Sequence, residues 1–174
     1  MDFTSTLDKK GDSGIYHWFF SVPNNVASAF IDGKDRRVIC TVNGTEKYHC
    51  AIHGDGNEGF MIMLNRQRCN RLGLVKGESI EVQLVKDTTE YGIPMCDELR
   101  EVLDQMPQAD DIFHGYTKGK QRTLIYWVQT VKKSEIRIRR SLVMATHLEQ
   151  HGGDLDYKLL NSEMKEANMA AKRR

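Results

Sequence analysis

The segment from Arg68 to Leu84 constrains the fold more than any other part of the chain. It opens with a basic helical stretch that Gly73 is placed to end, because glycine readily takes the left-handed conformation found at helix C-termini. A second glycine turn at Gly77 follows, and apolar and polar residues then alternate as in a strand with one buried face, the apolar set being Ile80, Val82 and Leu84. A short helix that turns into such a strand is typical of small β-barrels.

Residues 14–86 continue this β pattern. An aromatic-rich strand is predicted at 15–22, and the strand 37–42 is joined to a returning strand, 45–53, through Asn43-Gly44. That dipeptide accepts positive φ at both positions, as a tight hairpin turn requires. A further strand at 60–64 and two short helices complete the set, so the spacing favours a barrel of about six strands over a parallel α/β sheet.

Beyond Asp87 the apolar residues recur at helical spacing. Four helices are expected between residues 95 and 150, with Thr117 and Ser134 as caps of the third and fourth, and a terminal helix after Gly152-Gly153. The inward stripe of the fourth helix is predicted as Ile138, Leu142, Ala145 and Leu148. The fold class is therefore α+β, with a small barrel at 14–88 and a helical domain at 93–172. Leu103, Phe113 and Trp127 are expected to be buried in the helical domain.

The net charge of +1 conceals a strong polarity along the chain. Residues 87–111 carry eight acidic side chains and one basic one, a formal charge of −7, whereas residues 117–147 carry eight basic and one acidic, a charge of +7. The simpler interpretation is that neighbouring helices pair these charges, with Glu98, Glu101 and Asp104 facing Lys133, Arg137 and Arg140. The alternative is that the basic stripe is a surface for a protein or another anionic partner.

Composition and spacing exclude several classes of protein. The longest apolar run falls short of the roughly 20 residues that span a bilayer, and the first fourteen residues lack the apolar core of a signal peptide, so we expect a cytoplasmic protein. Cys40, Cys50, Cys69 and Cys96 form no closely spaced pair, which argues against zinc and indicates free thiols. We predict no cofactor, no metal and no catalytic residues.

Two other groups of residues are candidates for ligand binding. His17, His49 and Tyr48 lie near the mouth of the predicted barrel, where they would contact a small molecule; acid–base chemistry there would need an orienting acid that spacing does not supply. Arginines on the second short helix and on the hairpin strand could contact phosphates and so bind nucleic acid, although the balanced overall charge does not favour this interpretation; they are Arg66, Arg68 and Arg71 with Arg36 and Arg37.

The first domain resembles a family of uncharacterised bacterial proteins that contain a small barrel. The resemblance rests on these residues: Val22-Pro23, Phe30, Gly33, Arg37-Val38, Thr41-Val42-Asn43-Gly44, Leu64-Asn65-Arg66, Arg71-Leu72-Gly73-Leu74 and Gly77-Glu78. The segment 71–78 is also similar to the double-split barrels of AbrB-type regulators, which bind DNA as swapped dimers. Because this chain contains both halves of the strand set, that similarity concerns the fold alone.

The second domain resembles the YdeI/OmpD-associated bacteriocin-protection domain. The matching residues are Pro94, Leu99, Leu103, Pro107-Gln108-Ala109, Phe113, Trp127-Val128, Lys132-Lys133, Glu135, Arg137, Arg139 and Arg140. Ile136 and Leu124 depart from the family pattern, where a threonine and an aromatic residue are common. The resemblance implies a non-enzymatic role in tolerance of bacteriocins, cationic peptides or related stress, and it carries no catalytic residues.

Overall fold

The computed structural model describes residues 1–10, 18–45 and 47–173, which divide into two compact units, Met1–Thr88 and Thr89–Arg174. The elements of the first unit are β1 (Asp2–Lys9), β2 (Trp18–Val22), α1 (Asn24–Phe30), β3 (Arg37–Val42), β4 (Lys47–Ala51), β5 (His53–Gly54), β6 (Phe60–Leu64), α2 (Arg66–Leu72) and β7 (Ser79–Lys86). Every strand pairing is antiparallel, and the order across the sheet is β4-β3-β7-β1-β2-β6-β5. Because β4 also approaches β6, the sheet forms a nearly closed barrel.

The turns and caps of this unit follow the local sequence. The Asn65 side chain caps α2 by accepting a hydrogen bond from the Arg68 backbone amide at 2.7 Å, and Gly73 ends the helix in the left-handed region at φ 66°. Asn43 and Gly44 both have positive φ, as the hairpin prediction requires. Along β7 the alternation is confirmed: Ile80, Val82 and Leu84 are buried, and Glu81 and Gln83 are exposed.

The barrel begins earlier than the predicted residue 14. Strand β1 spans Asp2–Lys9 and pairs with β7 on one side and β2 on the other, which raises the strand count in the described residues from about six to seven. Its sequence hides this position because only Phe3 and Leu7 are large and apolar among many polar residues. Of the predicted strand 15–22, residues 18–22 form β2, and residues 15–17 lie outside the described part of the chain.

The second unit is helical throughout its regular structure. Its elements are α3 (Asp97–Gln105), α4 (Pro107–Gly115), α5 (Lys118–Gln129), α6 (Ser134–Gln150) and α7 (Tyr157–Lys172). Helix α6 packs against α3, α4, α5 and α7. Leu103 on α3 and Phe113 on α4 are buried in this helical core, as predicted. Trp127 is only half-buried at the edge of this core. None of the helices in the described residues is long and apolar enough to cross a bilayer.

The inward face of α6 differs from the predicted stripe. Ile138 and Leu142 are 44% and 46% exposed, whereas Ala145 and Leu148 are buried, together with Ser141, Met144 and His147. The polar members of this face each have a hydrogen-bond partner. The Ser141 hydroxyl donates to the Arg137 carbonyl at 2.9 Å, and His147 Nδ1 lies 2.8 Å from a carboxylate oxygen of Glu163 on α7, although His147 Nε2 has no partner among the described residues. Apolar spacing alone could not reveal that a serine and a histidine would face the core.

Candidate functional site

The five arginines proposed for phosphate binding divide into two kinds. Arg36, Arg66 and Arg71 are exposed, and Arg37 and Arg68 are half-buried. The Arg68 guanidinium lies 4.0 Å from the centroid of the Tyr48 ring, a cation–π contact that joins α2 to β4. Two of the five arginines therefore pack against the barrel, and the set does not form a uniformly exposed basic surface.

Tyr48 belongs to the barrel interior. Its side chain is 4% exposed, and its hydroxyl lies beside the Cys40 thiol without a hydrogen bond of normal geometry. Burial raises the pKa of Tyr48 well above its ordinary value, and the hydrogen bond with Cys40, together with burial, raises the pKa of Cys50. Tyr48 and Cys50 therefore stay protonated near neutral pH, and both act as packing groups of the barrel.

His49 has an acidic partner that the sequence spacing did not reveal. Its Nδ1 lies 2.8 Å from a carboxylate oxygen of Asp87, whose side chain is fully buried at the end of β7. A carboxylate that holds Nδ1 fixes the orientation of an imidazole ring. Proton transfer would also need a reacting group at Nε2, and the described residues place no hydrogen-bonding partner there.

The structure does not assemble the predicted small-molecule site at the barrel mouth. Tyr48 and His49 are consecutive residues of β4, so their side chains lie on opposite faces of the sheet. Tyr48 is buried, whereas His49 is half-buried on the other face. His17 lies outside the described residues. Tyr48 and His49 therefore cannot line one pocket.

The predicted charge pairing between α3 and α6 holds for one residue pair. Arg137 Nη1 lies 3.6 Å from Glu98 Oε1. The pKa of Glu98 is lowered chiefly by a hydrogen bond with the Ser134 side chain, and the positive charge of Arg137 adds to the effect. The two helices pack together, as expected, but the contact uses a single acid of the stripe.

Arg140 and Lys133 do not follow the pairing prediction. Arg140 donates to the Trp127 carbonyl and, at 2.6 Å, to the Thr130 hydroxyl, and its guanidinium lies 5.2 Å from the Trp127 ring centroid. It therefore holds the end of α5 in place, because the last turn of a helix offers carbonyls that lack partners within the helix. Lys133 is exposed at the N-cap position of α6.

The acidic side chains left over from this pairing form one exposed face of α3. Asp97, Glu101 and Asp104 are spaced i, i+4, i+7, so they project from the same side of the helix. All three are exposed, and within the part of the chain that the structure describes no basic group lies within ion-pair distance of them. Arg100 is the one base on this helix. We call these three residues the α3 acidic face.

One further cluster lies between α6 and α7, outside every site predicted from the sequence. His147, His151 and Glu163 place their nitrogen and oxygen atoms within 4.8 Å of one another. The i, i+4 spacing of the two histidines was a visible signal, since it puts both rings on one face of a helix. The contribution of Glu163 from the next helix had no such signal.

These observations define an α+β protein in which a small antiparallel barrel precedes a helical unit. Family comparison names the two parts: residues 3–84 match the domain of unknown function DUF1905, and residues 93–151 match the domain described as bacteriocin-protection, YdeI or OmpD-associated. The chain thus joins a DUF1905 domain to a YdeI/OmpD-associated domain, which confirms both resemblances and their order. The first match includes all of β1 except Asp2. No curated protein and no solved structure matches the chain significantly.

Proposed function

We propose that this protein contributes to tolerance of bacteriocins or other cationic peptides in the cytoplasm, and that it acts by binding the peptide and not by catalysis. The proposal is supported by the bacteriocin-protection description of the domain matched at residues 93–151. A single structural observation supports peptide binding: the α3 acidic face of that domain is exposed, and the basic side chains of α6 do not neutralise it.

The geometry of the face suits a peptide with several positive charges. Asp97, Glu101 and Asp104 extend over two turns of helix, about 10 Å along its axis at 1.5 Å per residue. Each exposed ion pair contributes only about 0.2–1 kcal/mol, so useful affinity requires several pairs at once. Asp111 on the following helix is also exposed and adds negative charge to the same domain. Attraction of this kind weakens as salt rises, because exposed charges are screened.

A binding experiment with charge-matched variants tests the proposal. We expect a fluorescent polymyxin-type peptide to bind the full-length protein at low salt and to dissociate as salt is raised. The double change Glu101→Gln with Asp104→Asn should weaken binding several-fold. The control Asp154→Asn with Glu166→Gln removes the same charge from two other exposed positions and should bind as the unmodified protein does.

Survival assays supply the physiological half of the test. A deletion strain should be more sensitive to cationic peptides, and the control variant, but not the variant of the α3 acidic face, should restore tolerance. Equal binding by the two double variants would refute the acidic face as the binding surface. Unchanged survival of the deletion strain across peptide classes would refute the physiological role.

Nucleic-acid binding by the barrel is the second candidate, and the structure gives it less support. Of the five arginines, Arg36, Arg66 and Arg71 are exposed, whereas Arg37 and Arg68 are half-buried. A gel-shift titration at low salt checks it, since phosphate contacts would make affinity fall steeply with salt.

A further inference from the structure

We propose that His147, His151 and Glu163 form a binding site for a divalent transition-metal ion, with Zn²⁺ as the reference ion. His147 and His151 lie one turn apart near the end of α6, and Glu163 reaches them from α7. The site is independent of the α3 acidic face. The two histidines lie within residues 93–151, the part of the chain matched to the YdeI/OmpD-associated domain. Glu163 lies on α7, beyond that match.

The distances already approach those of a coordination shell. His147 Nδ1 lies 2.8 Å from Glu163 Oε2, and His151 Nε2 lies 3.4 Å from Glu163 Oε1. Ligand atoms at about 2.0–2.1 Å from a tetrahedral zinc ion are about 3.3–3.4 Å apart, so small side-chain adjustments suffice. The two imidazole rings are also close, with their centroids 4.6 Å apart.

Burial pre-organises one ligand and leaves an approach for the ion. The His147 side chain is fully buried, and among the described residues its Nε2 has no hydrogen-bond partner, so the contact of Nδ1 with Glu163 fixes the ring. The side chains of His151 and Glu163 are 36% and 26% exposed, which opens the cluster to solvent on that side. An ion entering there would replace the His147–Glu163 hydrogen bond with two metal–ligand bonds, and the proton of that hydrogen bond would leave Nδ1 for Nε2 or for solvent.

The donor set selects the class of ion. Two imidazole nitrogens and one carboxylate suit Zn²⁺, Co²⁺, Ni²⁺ and related ions, whereas Ca²⁺ and Mg²⁺ prefer shells of oxygen. Three protein ligands leave at least one coordination position for water or an external ligand. Because the ligands come from two helices, metal binding should also hold α7 against α6 and raise the thermal stability of the protein.

The test uses the full-length protein without a histidine tag and the metal ion alone as the probe. Titration with Co²⁺ should produce the visible absorption of an ion with fewer than six ligands, and Zn²⁺ should displace it and raise the melting temperature. His151→Ala and Glu163→Gln change side chains that are partly exposed, so both variants should fold, and each should lose about tenfold or more in affinity. His53→Ala removes an exposed histidine from the barrel unit and should bind as the unmodified protein does.

Protonation supplies an independent readout. Metal-bound imidazoles must be neutral, so protons compete with the ion for the histidine nitrogens, and the affinity for Co²⁺ and Zn²⁺ should fall in acid. The absence of a Co²⁺ spectrum, or equal affinity in the His151→Ala, Glu163→Gln and His53→Ala variants, would overturn the proposal. Neither result bears on peptide binding by α3, so the two proposals fail separately.

Discussion

At the scale of single residues, the arginines of α6 support the fold. Arg137 pairs with Glu98 on α3, and Arg140 binds the carbonyl end of α5. Arg139 donates to Asn168 on α7 at 2.9 Å and to Glu135 one turn away at 2.8 Å. These contacts explain why a segment of charge +7 does not present a continuous basic surface. They leave Lys133 exposed, and among the described residues no basic group pairs with the α3 acidic face.

The Glu98 interaction should make stability depend on pH. Its pKa is lowered in the folded state, first by the Ser134 hydrogen bond and then by Arg137, so the stabilisation is complete above the unfolded value, about 4.3, and is lost as pH falls through the folded value. Glu98→Gln should therefore lower the free energy of unfolding near pH 7 by about 0.2–1 kcal/mol. The deficit should shrink in acid, as measured by urea unfolding at several pH values.

Glu135→Gln is the matched control for this measurement. Glu135 also contacts an arginine, but its side chain is 76% exposed, against 16% for Glu98, so solvent screens the pair more strongly. We expect a smaller loss of stability. An equal loss in both variants, or a Glu98→Gln deficit that persists unchanged in acid, would contradict the assignment.

At the scale of elements, glycine positions decide where short helices stop. Gly73 ends α2 at φ 66°, and a Cβ at this position would meet no atom within 4 Å. A side chain there would therefore destabilise the fold through backbone strain alone. Gly115 ends α4 and also has free space around it, but its φ is not positive. A side chain meets no steric conflict at either position, so a comparison of the two residues isolates backbone strain.

Gly73→Ala should destabilise the barrel unit by about 1–2 kcal/mol, because an L-residue is strained in the left-handed region. Gly115→Ala should leave stability unchanged or raise it, since alanine favours the helix and reduces the freedom of the unfolded chain. Thermal unfolding of the two variants under the same conditions provides the comparison. Similar destabilisation by both would show that strain at Gly73 is not the cause.

At the scale of the whole molecule, each compact unit has a hydrophobic core of its own. Leu7, Phe20, Ile62 and other buried residues fill the barrel, and a second set around Phe113 fills the helical unit. Strand β1 is essential to the first core because it lies between β7 and β2 and contributes Leu7, which is fully buried. Without β1 both neighbouring strands would expose unpaired backbone groups.

A fragment of residues 1–88 should therefore fold alone, and a fragment of residues 11–88 should not. We expect cooperative thermal unfolding and well-dispersed amide resonances only for the longer fragment. The fragments differ by the ten residues that contain β1, which precede the barrel bounds predicted from the sequence. Cooperative unfolding of the 11–88 fragment would contradict the central position of β1.

The sequence by itself determined the features that depend on near neighbours. The alternation of β7, the Asn43-Gly44 turn, the helix end at Gly73 and the helical period beyond Asp87 are local patterns, and each is present in the structure. The two family resemblances rest on the same local motifs. The α+β class and the order of barrel and helices followed from them.

Only the tertiary structure decided which distant groups meet. It placed a polar β1 inside the sheet, paired His49 with Asp87 at a separation of 38 residues, and brought Glu163 to the two histidines of α6. It also turned Ile138 and Leu142 outward, because the buried face of α6 is set by the helices packed around it. Periodicity reports which residues share a face of a helix or strand, but only long-range packing selects the face that is buried and the partners that it meets.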